Sequence, residues 1–149
     1  GATFHGRDVF APVAAHLAAG EPPERLGTPV PLASLVLLPH LTPTLLPDAI
    51  QGRVIAVDRF GNLITNIAAG LLRALGPLET LEVTLDKRRL VGVQSAYGAV
   101  AAGEPLALIN SAGLLEIAVT NGSAAQTFQT SVGAAVHCRS YASNGAERQ

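Results

Sequence analysis

Prolines stand at positions 22, 23, 29, 31, 39, 43 and 47, and from Gly52 onward apolar and polar residues begin to alternate. Proline fixes φ and donates no backbone hydrogen bond, so a stretch this dense in it builds neither a long helix nor a ladder-paired strand. The segment reads as an extended connector between two different kinds of structure. Before it, residues 3–20 predict a strand end entering a helix. Asp8 is placed as the N-cap, Pro12 falls in the first turn, Val9, Val13 and Leu17 share one face, and Gly20 ends the helix.

After the connector the period is close to two, which predicts strands over 53–57, 63–67, 80–85, 89–93, 105–110 and 114–119, with a last one over 132–139. Asp86-Lys87-Arg88 predicts a hairpin turn, and 69–75 and 123–128 predict single short helices. Many short strands in quick succession close most economically as a small barrel. The expected fold is therefore mainly β, with a small C-terminal β-barrel preceded by the last strand and helix of an α/β N-terminal domain that is otherwise missing. The expected boundaries are 1–47 for the end of that domain and the connector, 48–141 for the barrel, and 142–149 for a polar tail.

Composition narrows the function classes. Of the 149 residues 48% are hydrophobic and 14% charged, with a formal net charge of −1, which gives no electrostatic footprint for a polyanionic partner. The 15 glycines and 10 prolines fit turns and short strands. A single cysteine, Cys138, permits no intrachain disulfide and no zinc-type spacing, so no metal is expected and the setting expected is cytoplasmic. No apolar run is long enough for a membrane-spanning helix, so no membrane partner is expected. The sequence contains no methionine, from which an upstream portion is expected.

Three segments carry more chemistry than a core requires: Thr3-Phe4-His5-Gly6-Arg7-Asp8, Asp58-Arg59-Phe60-Gly61-Asn62 within residues 56–67, and Asn110-Ser111-Ala112-Gly113-Leu114-Leu115-Glu116-Ile117-Ala118-Val119-Thr120-Asn121-Gly122. An acid, an aromatic and an amide between two apolar runs suit one small-molecule site. Each residue also has a plain structural reading. Asp58 and Asn62 can bond the turn backbone while Phe60 enters the core. Glu116 interrupts an apolar run, so it either points to solvent by alternation or is paired inside a site. Arg7 and Asp8 read as an ion pair and a cap, Thr65 and Asn66 as partners for neighbouring backbone, and His16, His40 and His137 as surface or packing residues.

In that order and over nearly the whole chain, the three motifs resemble the S-adenosylmethionine hydroxide adenosyltransferases, the superfamily that also contains fluorinases and chlorinases. The resemblance covers the end of that family's N-terminal domain and its whole C-terminal barrel. It implies that water or hydroxide attacks the ribose 5′ carbon of S-adenosyl-L-methionine, giving adenosine and L-methionine. The sulfonium departs as a neutral thioether, so no acid is needed at the leaving group; the incoming water must be held in line and relieved of a proton.

By this resemblance His5 is the catalytic, water-orienting residue, a task suited to imidazole; its partners in the family lie upstream of Gly1. Asp58 is implied to accept from the methionine ammonium, Phe60 to lie against an apolar or π surface, and Asn62 to pair with the N6/N7 edge of adenine. Ser111, Glu116 and the backbone at Val119 and Asn121 are implied to line the methionine and adenine pockets. Tyr97 aligns with an aromatic that packs on the base, with a core tyrosine as the rival reading. The resemblance further implies a homotrimer with the active site shared between subunits, and no cofactor beyond the substrate.

His5, and Ala112 where halogenases tend to carry a basic residue, favour water over halide as the nucleophile. A halogenase of the chlorinase or fluorinase type and a non-catalytic adenosine-binding barrel remain the alternatives. An oligonucleotide-binding barrel is set aside, because 10 Lys+Arg and 4% aromatic residues supply neither a basic face nor stacking platforms.

Overall fold

The computed structural model describes residues 3–36 and 41–140. The chain divides into two compact units, 1–37 and 38–149. In the first, a π-helical turn at Gly6–Phe10 runs directly into helix α1 (Ala11–Ala18). Pro12 falls in the first turn of α1, where its missing N–H costs nothing, and Gly20 follows the helix at φ +87°. The strand end expected before the helix is absent from the described residues, because the backbone is already helical at His5. For the same reason Asp8 is not an N-cap. It sits inside the helical run, and its carboxylate accepts from Arg7 Nε at 2.6 Å and Nη2 at 3.1 Å. The guanidinium holds the Asp8 carboxyl below its usual range. Beyond α1 the prolines permit only single 3-10 turns, at Pro23–Arg25 and Leu32–Ser34.

The described residues of the second unit form nine strands and two short α-helices: β1 (Thr44–Leu46), β2 (Ala49–Val57), β3 (Leu63–Ala68), α2 (Ala69–Leu75), β4 (Leu81–Leu85), β5 (Arg88–Val91), β6 (Val93–Gln94), β7 (Pro105–Ile109), β8 (Leu114–Val119), α3 (Ala124–Phe128) and β9 (Ala135–Ser140). The connector therefore ends sooner than expected. Thr44–Leu46 pairs antiparallel with β2, which places this part of the proline-rich segment on the barrel. Residues 142–149 and His40 lie outside the described residues.

Eight of the strands form one path in the order β5-β4-β9-β2-β3-β8-β7-β6, antiparallel except where β6 meets β7, and β1 lies off this path, paired with β2. Residues 89–93, expected as one strand, break at Gly92 (φ +80°). Before the break the chain pairs with β4, and after it with β7, so one bent segment belongs to both ends of the path. The ends consequently meet, with β4 against β6 and β5 against β7, and the sheet becomes a nearly closed barrel. Its interior is filled by the alternate residues of each strand. Val54, Leu63, Ile67, Leu81, Val83, Leu115, Ile117 and Val136 are wholly buried in a single cluster, each contributing about 1.5–3 kcal/mol of apolar burial.

Two acids, Glu82 and Glu116, are buried on the outer face of this sheet, and the first is held by ion pairs. Glu82 on β4 pairs in register with Arg139 on β9. Its Oε1 accepts from Arg139 Nη2 at 2.7 Å and Nε at 2.9 Å, while Arg89 Nε stands 2.6 Å from Oε2. Two half-exposed guanidinium groups balance one buried carboxylate and cover it with their stems.

The break at Gly92 can be tested against a turn that needs only the backbone conformation. A Cβ on Gly92 would lie 3.2 Å from the Glu79 carbonyl oxygen, whereas one on Gly103 (φ +84°) would meet nothing within 4 Å. Gly103→Ala should cost about 1–2 kcal/mol in urea denaturation, the left-handed backbone term alone. Gly92→Ala should cost measurably more. Equal losses would show that close packing at the break plays no part in closing the barrel.

Candidate functional site

The turn between β2 and β3 is built around one carboxylate. Asp58 Oδ1 accepts from the backbone N–H groups of Phe60 at 2.8 Å and Asn62 at 2.9 Å, and Oδ2 accepts from Asn62 Nδ2 at 3.0 Å. The backbone closes on itself as well, with Asp58 N donating to Asn62 O and Gly61 N to Asp58 O. This is the turn-bonding arrangement that Asp and Asn readily adopt. Phe60 does not enter the core: the turn holds it outward at the barrel rim, 63% exposed, with the Arg59 guanidinium 4.9 Å from its ring centroid. Asn62 is buried beside it. Gly61 is required here, because it has φ +85° and a Cβ would fall 2.0 Å from Ser123 Oγ.

Glu116 lies on β8, paired with Ile64 on β3 and Leu108 on β7. Both faces of this strand are covered, so alternation does not bring Glu116 to solvent; it is 3% exposed. It is paired instead. Tyr97, in a 3-10 turn at Tyr97–Ala99, donates its hydroxyl to Glu116 Oε1 at 2.5 Å, and the Tyr97 carbonyl accepts from Thr120 Oγ1 at 2.8 Å. The bond to Glu116 chiefly, then burial and the negative charges of Glu116 and Asp58, push the phenol up to about 12. Tyr97 is half-exposed rather than a core residue.

These pieces border one cleft of about 480 Å³, lined by Phe60, Asn62, Tyr97, Val119, Thr120, Asn121 and Gly122. Register explains the meeting. Leu63 opens β3 opposite Ile117 near the end of β8, so the residue before β3 and those after β8 reach the same rim. The floor is tied by Ala125 N donating to Gly61 O at 2.9 Å, and by Ser123 capping α3 through Gln126 N.

Of the residues singled out from sequence, the structure brings Phe60, Asn62, Tyr97, Val119 and Asn121 to the cleft wall. Asp58 and Glu116 stand behind them, bonded to Asn62 and Tyr97. Ser111 lies elsewhere in the barrel. It belongs to the β7–β8 turn, at the opposite end of β8 from Asn121, where Asn110 Oδ1 accepts from Ala112 N and Leu114 N. His5 is an exposed residue of the first unit, its ring edge-on to Phe10. Thr120 and Gly122 belong to the third segment but were given no role of their own. The signal for them was the Thr120-Asn121-Gly122 turn at the strand exit, where Asn121 has φ +56° and a Cβ on Gly122 would lie 2.7 Å from Val119 Cγ1. Thr65 and Asn66 bond neighbouring backbone as expected, Thr65 Oγ1 to Leu115 O and Asn66 Oδ1 from Arg53 N. Among the described residues no group of His, Cys, Asp and Glu is placed to hold a metal ion, and no helix is long and apolar enough to cross a membrane.

Known proteins are similar to this chain in sequence and in fold. Residues 52–137 match the SAM hydroxide adenosyltransferase C-terminal domain, and residues 1–27 match the corresponding N-terminal domain. An (R)-S-adenosyl-L-methionine hydrolase from Thermus thermophilus is 51% identical over 123 residues, covering 83% of this chain and 44% of the relative. One from Salinispora tropica is 40% identical over 126 residues, covering 83% and 46%. A fluorinase from Actinopolyspora mzabensis is 31% identical over 143 residues, covering 90% and 47%. The chain thus spans about half the length of these relatives. A solved structure of an uncharacterized conserved protein from Thermotoga maritima superposes with TM-score 0.66 at 38% identity, over 92% of this chain and 52% of that one. The match to the C-terminal domain alone takes in more than half of the chain, which therefore belongs to the S-adenosylmethionine hydroxide adenosyltransferase family.

Proposed function

We propose that the protein containing this chain hydrolyses S-adenosyl-L-methionine to adenosine and L-methionine, and that the cleft at the barrel rim holds its adenosyl part. The observation that carries this reading is the convergence of Asn62, Phe60 and Tyr97 on one cleft: an amide able to pair with a purine edge, with two aromatic rings lining the same space. Water attacks the ribose 5′ carbon, the C–S bond breaks with its electron pair leaving on sulfur, and a proton is lost from the attacking oxygen. His5 is the residue we assign to orienting that water. Ser111, by family resemblance, serves the amino acid end of the substrate. Resemblance also supports a homotrimer with a shared active site, and a lone, buried cysteine supports a cytoplasmic setting.

The test is product analysis of the full-length protein with S-adenosyl-L-methionine in halide-free buffer. Adenosine and methionine are expected. Products that form only after chloride or fluoride is added, with a 5′-halogenated nucleoside among them, would replace the hydrolase with the halogenase reading.

His5→Ala should lower kcat by about 100-fold or more while leaving KM nearly unchanged, the pattern for a group acting on the nucleophile. Asn62→Ala should chiefly raise KM, by an amount equivalent to about 1–2 kcal/mol. An unchanged kcat in the first variant removes His5 from the reaction.

Tyr97 sets a pH window of its own. Its folded pKa lies above the ordinary value of 10.0, so its hydrogen bond stabilises the fold fully below that pH and is lost as pH rises toward about 12. The stability gap between the native protein and Tyr97→Phe, measured by denaturant unfolding, should therefore be larger at about pH 8 than at about pH 11. A gap of the same size at both would show that the bond to Glu116 does not form.

A further inference from the structure

The Asp58 carboxylate decides which edge of the Asn62 amide faces the cleft. A carboxylate only accepts hydrogen bonds, and Asp58 Oδ2 lies 3.0 Å from Asn62 Nδ2. Turning the amide over would bring two oxygens to that separation with no proton between them. Asp58 cannot swing away to relieve this, since its Oδ1 is fixed by the N–H groups of Phe60 and Asn62. The turn itself is held by Gly61 packed against Ser123. No described residue donates to the Asn62 side-chain oxygen Oδ1, which is left, with one amide N–H, for whatever occupies the cleft.

We propose that Asp58 is a positioning residue that makes the site selective for a 6-amino purine over a 6-oxo purine, by locking the Asn62 carbonyl oxygen toward the ligand. The proposal rests on the adenosyl reading above. Adenine presents the N6 donor beside the N7 acceptor, the complement of a carbonyl oxygen beside an N–H. A 6-oxo purine presents two acceptors, so its O6 meets the Asn62 oxygen. An unconstrained amide would rotate and donate to O6; Asp58 prevents that rotation. No contact between Asp58 and the ligand is needed for this effect.

Calorimetric binding to the full-length protein of adenosine, of the purine riboside lacking a 6-substituent, and of inosine tests this without any mutation. Affinity should fall in that order, with adenosine bound about tenfold or more tighter than inosine. Asp58→Asn retains an oxygen for the turn N–H groups but puts an NH2 opposite Asn62, so the Asn62 amide should turn over. The adenosine preference is then expected to drop below about twofold or reverse in favour of inosine. Asp58→Ser, which removes the atom facing Asn62 and keeps a turn-forming hydroxyl, should bring the two affinities close together and decides the matter if the first variant does not fold.

The proposal is overturned if the native protein binds inosine as tightly as adenosine. It is equally overturned if the variants weaken all three nucleosides by one common factor, because that is what a merely structural turn would do. A native protein that binds none of the three overturns the adenosyl reading along with it, whereas tight adenosine binding with an unmoved ratio overturns only the role given to Asp58.

Discussion

Closure of the barrel through one strand shared by both ends of the sheet is the constraint on which everything else in the second unit depends. Arg88–Val91 satisfies the outer edge of β4, and two residues later Val93–Gln94 satisfies the edge of β7. A sheet edge left open exposes unpaired N–H and C=O groups and invites association; a bend at Gly92 removes most of that edge within a single segment. Closure also fills the interior. Among the described residues, Leu63, Leu81, Leu115, Ile117 and Val136 are wholly buried and fill the barrel interior with side chains. A binding site has to be made at the rim or on the outer face.

Register then selects the rim. Antiparallel pairing of β3 with β8 brings the start of one strand to the end of the other, so the β2–β3 turn and the β8 exit adjoin, and Asn62 comes to lie near Val119. The same pairing places Ala68 opposite Leu114 and carries Ser111 to the far end. Two segments distant in sequence become one wall because of strand direction alone. Gly61 and Gly122 make this adjacency possible, since a Cβ on either would collide with Ser123 or Val119.

Much of this was legible in the sequence, and the failures share a cause. Period-two alternation located β3, β4, β7 and β8 closely, and the 69–75 helix exactly as it occurs, because local pattern and tertiary role agree there. The break at Gly92 was not legible: residues 88–94 alternate well enough to be one strand, and only the need to pair with two different neighbours divides them. Asp8 looked like a cap by type and position, yet a cap needs non-helical backbone and the helix had already begun. Glu116 was recognised as a choice between solvent and a paired interior, but alternation could not say that residues around Tyr97 would cover the outer face. Thr120 and Gly122 received no role because Gly122 shapes the cleft through close packing and Thr120 through a hydroxyl bonded to the Tyr97 backbone, a partner that only the tertiary structure brings near.

A comparison between the two buried glutamates separates structure from function on physical grounds. Glu82 and Glu116 both lie on outward faces of central strands, 1% and 3% exposed. Glu82 faces two guanidinium groups, so its charge is balanced within the protein, and the assembly fastens β4, β5 and β9 together. Glu116 has a phenol as its bonded partner, and a phenol donates a hydrogen bond without bringing a positive charge. The imbalance shows in the partner, since the Tyr97 pKa rises first because of that bond and also because of the charges of Glu116 and Asp58. The cleft is therefore bordered by two carboxylates that are hydrogen-bonded, among the described residues, to neutral donors, one to a phenol and one to an amide and two backbone N–H groups. Burying an acid beside a neutral donor costs more than burying it in an ion pair of good geometry. Glu82 is met by ion pairs and Glu116 by a phenol, so the rim of the cleft keeps a negative field that favours a cationic over an anionic ligand.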